Sequence, residues 1–261
     1  MPIRFRHIVV PVIALAAGAA LALSGVVPAF ADSTFAVGDF AYQLNSDGGA
    51  TVIGYNGTGT SVDIPSTVAS PSNGTVDVTE IASGFSSLPF TSLTIGNNVT
   101  TIDDDVFAHD TDLTSISLPN SVQYVGQGVF QGDSSVTSVV LGSSLQTIES
   151  GAFDGVGITS VTIPANVITI GDQAFADDSS LTSAYFEGAA PTTVGASPFG
   201  SSASTTVYYN PIYYSGFVSP WNGYTTNVTL PAPGHARCRR TTPCTRSPAP
   251  RTRMPTGNSC R

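Results

Sequence analysis

The chain has 261 residues, a formal net charge of −9 and only 10% charged residues. All eighteen acidic residues lie between Asp32 and Glu187, while all nine basic residues are Arg, two near the N-terminus and seven from Arg237 onward. A body with no Lys or Arg between Asp32 and Ala236 repels phosphate and anionic lipid, which excludes nucleic-acid binding by that body.

The first predicted segment is an export leader. Arg4 and Arg6 precede an apolar run from Ile8 to Val27, interrupted by Pro11 and Gly18, and Ala29-Phe30-Ala31 supplies a small-x-small cleavage signal. Cleavage after Ala31 is expected, with an uncleaved membrane anchor as the alternative. The three cysteines, Cys238, Cys244 and Cys260, all fall near the C-terminus. The body of an exported chain built this way must hold together by packing, without disulfides.

Past the leader, the sequence matches itself at a period of about 23 residues. One series of phenylalanines runs Phe85, Phe107, Phe130, Phe153, Phe175, Phe199, at steps of 22, 23, 23, 22 and 24. Ile81, Ile102, Val125, Ile148, Ile170 and Val194 form a second series. Ile95, Leu118, Leu141, Ile163 and Phe186 form a third, and Leu113, Val136, Ile158 and Leu181 a fourth. Each unit exposes apolar positions that it cannot bury alone, and stacking the units closes a shared interior. Within one unit, "LTSISLP" alternates as a short strand, "NS" or "AN" turns the chain, "VQYVG" or "VITIG" makes a second short extended piece, and the next turn delivers the phenylalanine. The predicted fold class is therefore a β-rich solenoid of about six 23-residue units with short parallel strands.

"LTSISLPNSVQYVGQGVFQGDSSVTSVVL" and "ITSVTIPANVITIGDQAFADDSSLTSAYF" resemble the BspA-type leucine-rich repeat, an exported bacterial class with the pattern L-T-x-I-x-I-P-x-x-V-x-x-I-G-x-x-A-F. The resemblance covers roughly residues 51–224. It implies a leucine-rich-repeat stack capped at both ends, with "LNSDGGATVIGYNGTGTSVDIPSTV" as the lead-in and "TTVYYNPIYYSGFVSPWNGY" as the closing unit. The expected organisation is a signal peptide at 1–31, an N-terminal cap at 32–75, the solenoid at 76–199, a capping unit at 200–230 and a disordered Arg/Pro-rich tail at 231–261. The family often has a cysteine three residues after the phenylalanine. This chain has Asp110, Asp133, Val156 and Asp178 there. An Asp at that point is expected to accept backbone N–H groups of its own turn, with calcium held between turns as the alternative.

Few residues invite chemistry. Asp103-Asp104-Asp105 is the densest acid cluster and is expected to be a solvated turn, since calcium needs about six to eight oxygen ligands. His109 is the only histidine of the body, no nucleophile elbow adjoins it, and no cysteine is available to pair with it. No cofactor and no metal site are predicted, and the chain is expected not to be an enzyme. A two-carboxylate glycan-active enzyme is the least favoured alternative.

What remains is surface. The outward residues of the "LTSISL" strands are Ser92 and Thr94, Ser115 and Ser117, Ser138 and Val140, Ser160 and Thr162, then Ser183, Tyr185 and Glu187. This hydroxyl-rich face is the predicted binding site, with Tyr185 as its one strong anchor type, and its strength is expected to come from area or multivalency. The resemblance implies a secreted or surface-exposed, adhesin-like module for a protein ligand of host or extracellular matrix. A glycan ligand or a spacer role within a larger surface protein are the alternatives.

The tail "PAPGHARCRRTTPCTRSPAPRTRMPTGNSCR" has seven Arg and no acid. It reads as a cationic tether to a wall or to the acidic body, as the start of a wall-spanning linker, or as a shifted reading frame. "LPAPG" at Leu230 to Gly234 has Pro233 where a sortase signal needs Thr. The spacing of His235, Cys238 and Cys244 is irregular for zinc.

Overall fold

A computed structural model describes residues 34–200 and 205–228. The expected export leader and the Arg/Pro-rich tail lie outside these residues.

Three-residue stretches such as Ser115-Ile116-Ser117 alternate exposed and buried side chains and then stop at a turn, so no strand outgrows its coil. A meander opens the fold: β1 (Thr34–Val37), β2 (Phe40–Leu44) and β3 (Ala50–Tyr55) pair antiparallel. β4 (Ser61–Ile64) follows, then β5 (Thr67–Ser70), a hairpin partner of β6 (Gly74–Ile81). From there each coil contributes one longer and one shorter strand. These are β7 (Ser92–Ile95) and β8 (Thr101–Ile102), β9 (Ser115–Ser117) and β10 (Tyr124–Val125), and β11 (Ser138–Val140) and β12 (Thr147–Ile148). Then come β13 (Ser160–Ile163) and β14 (Thr169–Ile170), and β15 (Ser183–Phe186) and β16 (Thr193–Val194). β17 (Thr206–Tyr209), a 3-10 segment (Pro211–Gly216) and β18 (Thr225–Val228) complete the described chain.

The shorter strands continue a parallel stack begun by β3 and β6, in the order β3-β6-β8-β10-β12-β14-β16. The longer strands pair in parallel as β4-β7, β9-β11 and β13-β15-β17-β18. The fold is thus a β-solenoid of about six turns of roughly 23 residues, as the spacing predicts. Backbone hydrogen bonds also bind the third side of each coil, the phenylalanine turn. Phe107, Phe130, Phe153 and Phe175 donate their N–H groups to Val129, Ala152, Ala174 and Pro198 of the following coil, at 2.8–2.9 Å.

The phenylalanines line up inside. Phe107–Phe130, Phe130–Phe153 and Phe153–Phe175 stack at 5.3, 5.4 and 5.1 Å between ring centroids. Phe85 and Tyr55 extend the column at the N-terminal end, and Phe199 extends it at the other. Each phenylalanine ring is fully buried, Tyr55 is half-buried, and pairs at this separation add roughly 0.5–1.5 kcal/mol beyond area burial. Leu141 departs from its series: in the "SVVL" coil, Val139 and Leu141 are only half-buried while Val140 stands 56% exposed. At the C-terminal end Phe217, Trp221 and Tyr224 are buried against Phe186 and Phe199. The Tyr224 hydroxyl accepts the Phe199 N–H at 3.1 Å and donates to the Gly200 carbonyl at 2.8 Å, pinning this end to the preceding coil.

Candidate binding face

Because side chains alternate along a strand, the longer strands present two outward rows running the length of the stack. One row is Ser61, Ser92, Ser115, Ser138, Ser160, Ser183, Thr206 and Thr225. The other is Asp63, Thr94, Ser117, Val140, Thr162, Tyr185, Tyr208 and Asn227. The pairings within β4-β7, β9-β11 and β13-β15-β17-β18 fix these registers. Ser115, Ser117, Ser138, Val140, Ser160, Thr162, Tyr185 and Glu187 are exposed, and Ser183 is half-buried.

The rows extend beyond the residues read from the sequence. Ser61 and Asp63 of β4 belong to the face, and so do Thr206 and Tyr208 of β17. Tyr208 lies 23 residues after Tyr185, so the repeat period itself carried the signal for it. The two rings stack at 4.8 Å with an interplanar angle of 18°. This pair is the largest aromatic feature of the face, near its C-terminal end.

Inside the coils the Asp column behaves differently from the expectation of own-turn hydrogen bonds. Asp110, Asp133 and Asp178 are buried, and the bonds that form reach the preceding coil. The Leu88 N–H donates to Asp110 Oδ1 at 2.7 Å, and the Asp110 N–H donates to Asp133 Oδ1 at 2.8 Å. The cause is geometric: the carboxyl points along the stacking direction, where the neighbouring backbone presents free N–H groups. Burial pushes Asp110 up to about 7 and Asp133 up to about 8, with those N–H bonds opposing the rise. For Asp178, neither oxygen has a hydrogen-bond partner among the described residues. Burial first, then the Asp154 and Asp177 carboxylates, push it up to about 8. The coil beneath it is one residue shorter between Phe153 and Ile158 than its neighbours, which displaces the backbone N–H that the other two carboxyls meet.

The acidic turn is also less solvated than expected. Asp103 is half-buried, and burial, then the charge of Glu80 and of Asp104, then a hydrogen bond with Glu80, push it up to about 6. Asp104 Oδ1 accepts the Gln127 N–H at 2.7 Å, and Asp105 is exposed in the left-handed region, with φ 58°. Nearby, Thr51 Oγ lies 2.6 Å from Asn45 Oδ1 and 2.7 Å from Glu80 Oε2, at the floor of an open concavity of about 570 Å³ at the N-terminal end. The hydrogen bonds made at this floor are internal. Among the described residues, no group of three His, Cys, Asp or Glu side chains is placed to hold a metal ion. His109 is exposed in the left-handed region at φ 64°, and no helix among the described residues is long and apolar enough to cross a membrane.

Comparison with known proteins bears on the fold. The leucine-rich repeat protein of T. pallidum is 23% identical, over 72% of this chain and 95% of that one, with a TM-score of 0.53. A leucine-rich repeat protein from Bacteroides ovatus is 18% identical over 75% and 67%, with a TM-score of 0.48. A leucine rich cell surface protein from Faecalibacterium prausnitzii is 22% identical over 62% of this chain, with a TM-score of 0.37, and the present chain spans only 56% of its length. No curated protein matches the chain. Residues 100–212 match the BspA type leucine rich repeat region in six copies. The same residues carry most of the phenylalanine column and most of the strand face, so this part of the chain is a BspA type leucine rich repeat region.

Proposed function

We propose that the chain is an exported, surface-exposed binding module whose longer-strand face captures a protein ligand, in the manner of an adhesin. The observation that carries this reading is the recurrence of the two outward rows, from Ser61 and Asp63 to Thr225 and Asn227, in each of the three parallel groups β4-β7, β9-β11 and β13-β15-β17-β18. A flat, hydroxyl-rich strip with one aromatic pair suits broad contact, in which area and repetition supply strength that single side chains do not. Residues 1–31 direct export, residues 32–75 and 200–230 close the two ends, and residues 76–199 carry the face. The role is non-catalytic: the strip carries only the carboxyl groups of Asp63 and Glu187, which lie on different coils, and the others sit within coils or on turns away from it.

Capture of extracellular-matrix proteins by the immobilised chain tests the reading. Tyr185→Arg should abolish capture at an unchanged melting temperature, because Tyr185 is outside the core. If capture survives Tyr185→Arg combined with charge substitutions at Ser117 and Thr162, the strand face is not the site. If no matrix protein is captured by the unmodified chain, the spacer role takes its place.

A further inference from the structure

We infer that the segment docking on this face is cationic, and that an arginine-bearing peptide seats on the Tyr185–Tyr208 pair. The inference rests on the strand-face reading above and narrows it to a partner chemistry and a locus. The register puts Thr162 on one flank of the pair and Asn227 on the other. One face of each ring covers its neighbour at 4.8 Å, so the remaining faces look toward short side chains. A planar guanidinium fits such a flank, because stacked strands repeat at about 4.8 Å and a further flat group continues the stack. The negative ring face attracts a cation. Exposed Glu187, two residues beyond Tyr185, supplies a carboxylate for the same group.

The charge of the whole body points the same way. Residues 34–228 contain no Lys or Arg and, leaving out Asp32, seventeen of the eighteen acidic residues. No cation of the fold competes for the ring faces, and the summed field draws basic segments toward the surface. An anionic ligand faces that field without one compensating side chain.

Fluorescence anisotropy of a labelled nona-arginine peptide, titrated with the full chain, tests this, with cellohexaose as competitor and an uncharged labelled nonapeptide titrated in parallel. The expected result is binding of nona-arginine alone that cellohexaose does not displace. It should weaken about tenfold on Tyr185→Ala or Tyr208→Ala, a change within reach of a desolvated cation–π contact. Tyr185→Phe should keep the affinity, since the ring face remains, and it serves as the folded control. Glu187→Gln should weaken binding more than Asp39→Asn. Equal losses at Asp39→Asn and at the tyrosines would reduce the effect to diffuse charge and overturn the inference. Displacement by cellohexaose would assign the pair to a sugar instead. Binding that emerges only after the seven Arg of 237–261 are replaced by Gln would make the chain's own segment the occupant, which also overturns it. If the peptide fails to bind while Tyr185→Arg still abolishes protein capture, the strand face stands and only the cationic class falls. If capture survives as well, both fall.

Discussion

At Asp178 a carboxyl group sits 3% exposed with neither oxygen hydrogen-bonded within the described residues. A carboxylate placed there loses its hydration without compensation, so the neutral acid is the form the fold accommodates. Asp110 and Asp133 are pushed the same way, to about 7 and about 8. The linkage has a definite sign. In the unfolded chain these groups ionise near their ordinary value of about 4, whereas in the fold they hold their protons up to about 7–8. Their contribution to stability is therefore full below pH about 4 and is lost as pH rises through about 8. Melting temperature should decline across that window. Asp178→Asn, which cannot ionise, should shallow the decline and raise the melting temperature at pH 8. A profile as steep as that of the unmodified chain would show that Asp178 ionises freely. The residue scale also holds what the sequence concealed. A buried Asp and a turn Asp look alike in one dimension, and only the missing residue between Phe153 and Ile158 hinted that Asp178 would be stranded.

The coil is the next unit, and its spacing is set by how closely backbones approach. A Cβ added at Gly171 meets the Ser150 nitrogen at 2.4 Å and the Glu149 carbonyl carbon at 2.6 Å, both backbone atoms of the preceding coil. Gly171→Ala should therefore force two coils apart and cost about 1–3 kcal/mol in denaturant unfolding, in the range of overpacked sites. Gln123→Ala, at an exposed residue just before β10, should be nearly silent. Four apolar series with steps of 21 to 24 located the coils and the outward rows of β7, β9, β11, β13 and β15, because burial demands the same side-chain type at the same point of every coil. The period did not show which way polar groups would reach. The Asp column bonds across coils, and Asp103 shares a hydrogen bond with Glu80 of the preceding coil, through contacts that exist only once the coils are stacked. Tyr208 was readable in principle from its 23-residue offset but fell inside a stretch that looked like a closing unit.

Over the whole molecule, residues 34–228 carry seventeen acidic groups and no Lys or Arg. The exposed carboxylates repel one another over distances comparable with the Debye length, about 10 Å at 0.1 M salt. Sodium chloride should therefore raise the melting temperature between low ionic strength and about 0.5 M, and no change would mean that the repulsion is negligible.

Both the architecture and the face it presents require side chains of successive coils to share one interior. A double-mutant cycle on Phe130→Ala and Phe153→Ala, whose rings stack at 5.4 Å, measures that sharing directly. Each single change should cost about 3–5 kcal/mol, and the pair should show a coupling of about 0.5–1.5 kcal/mol. The Phe107–Phe153 pair, separated by the Phe130 ring, should be additive within about 0.5 kcal/mol. Additivity at Phe130 and Phe153, or equal coupling for both pairs, would contradict a column of touching rings.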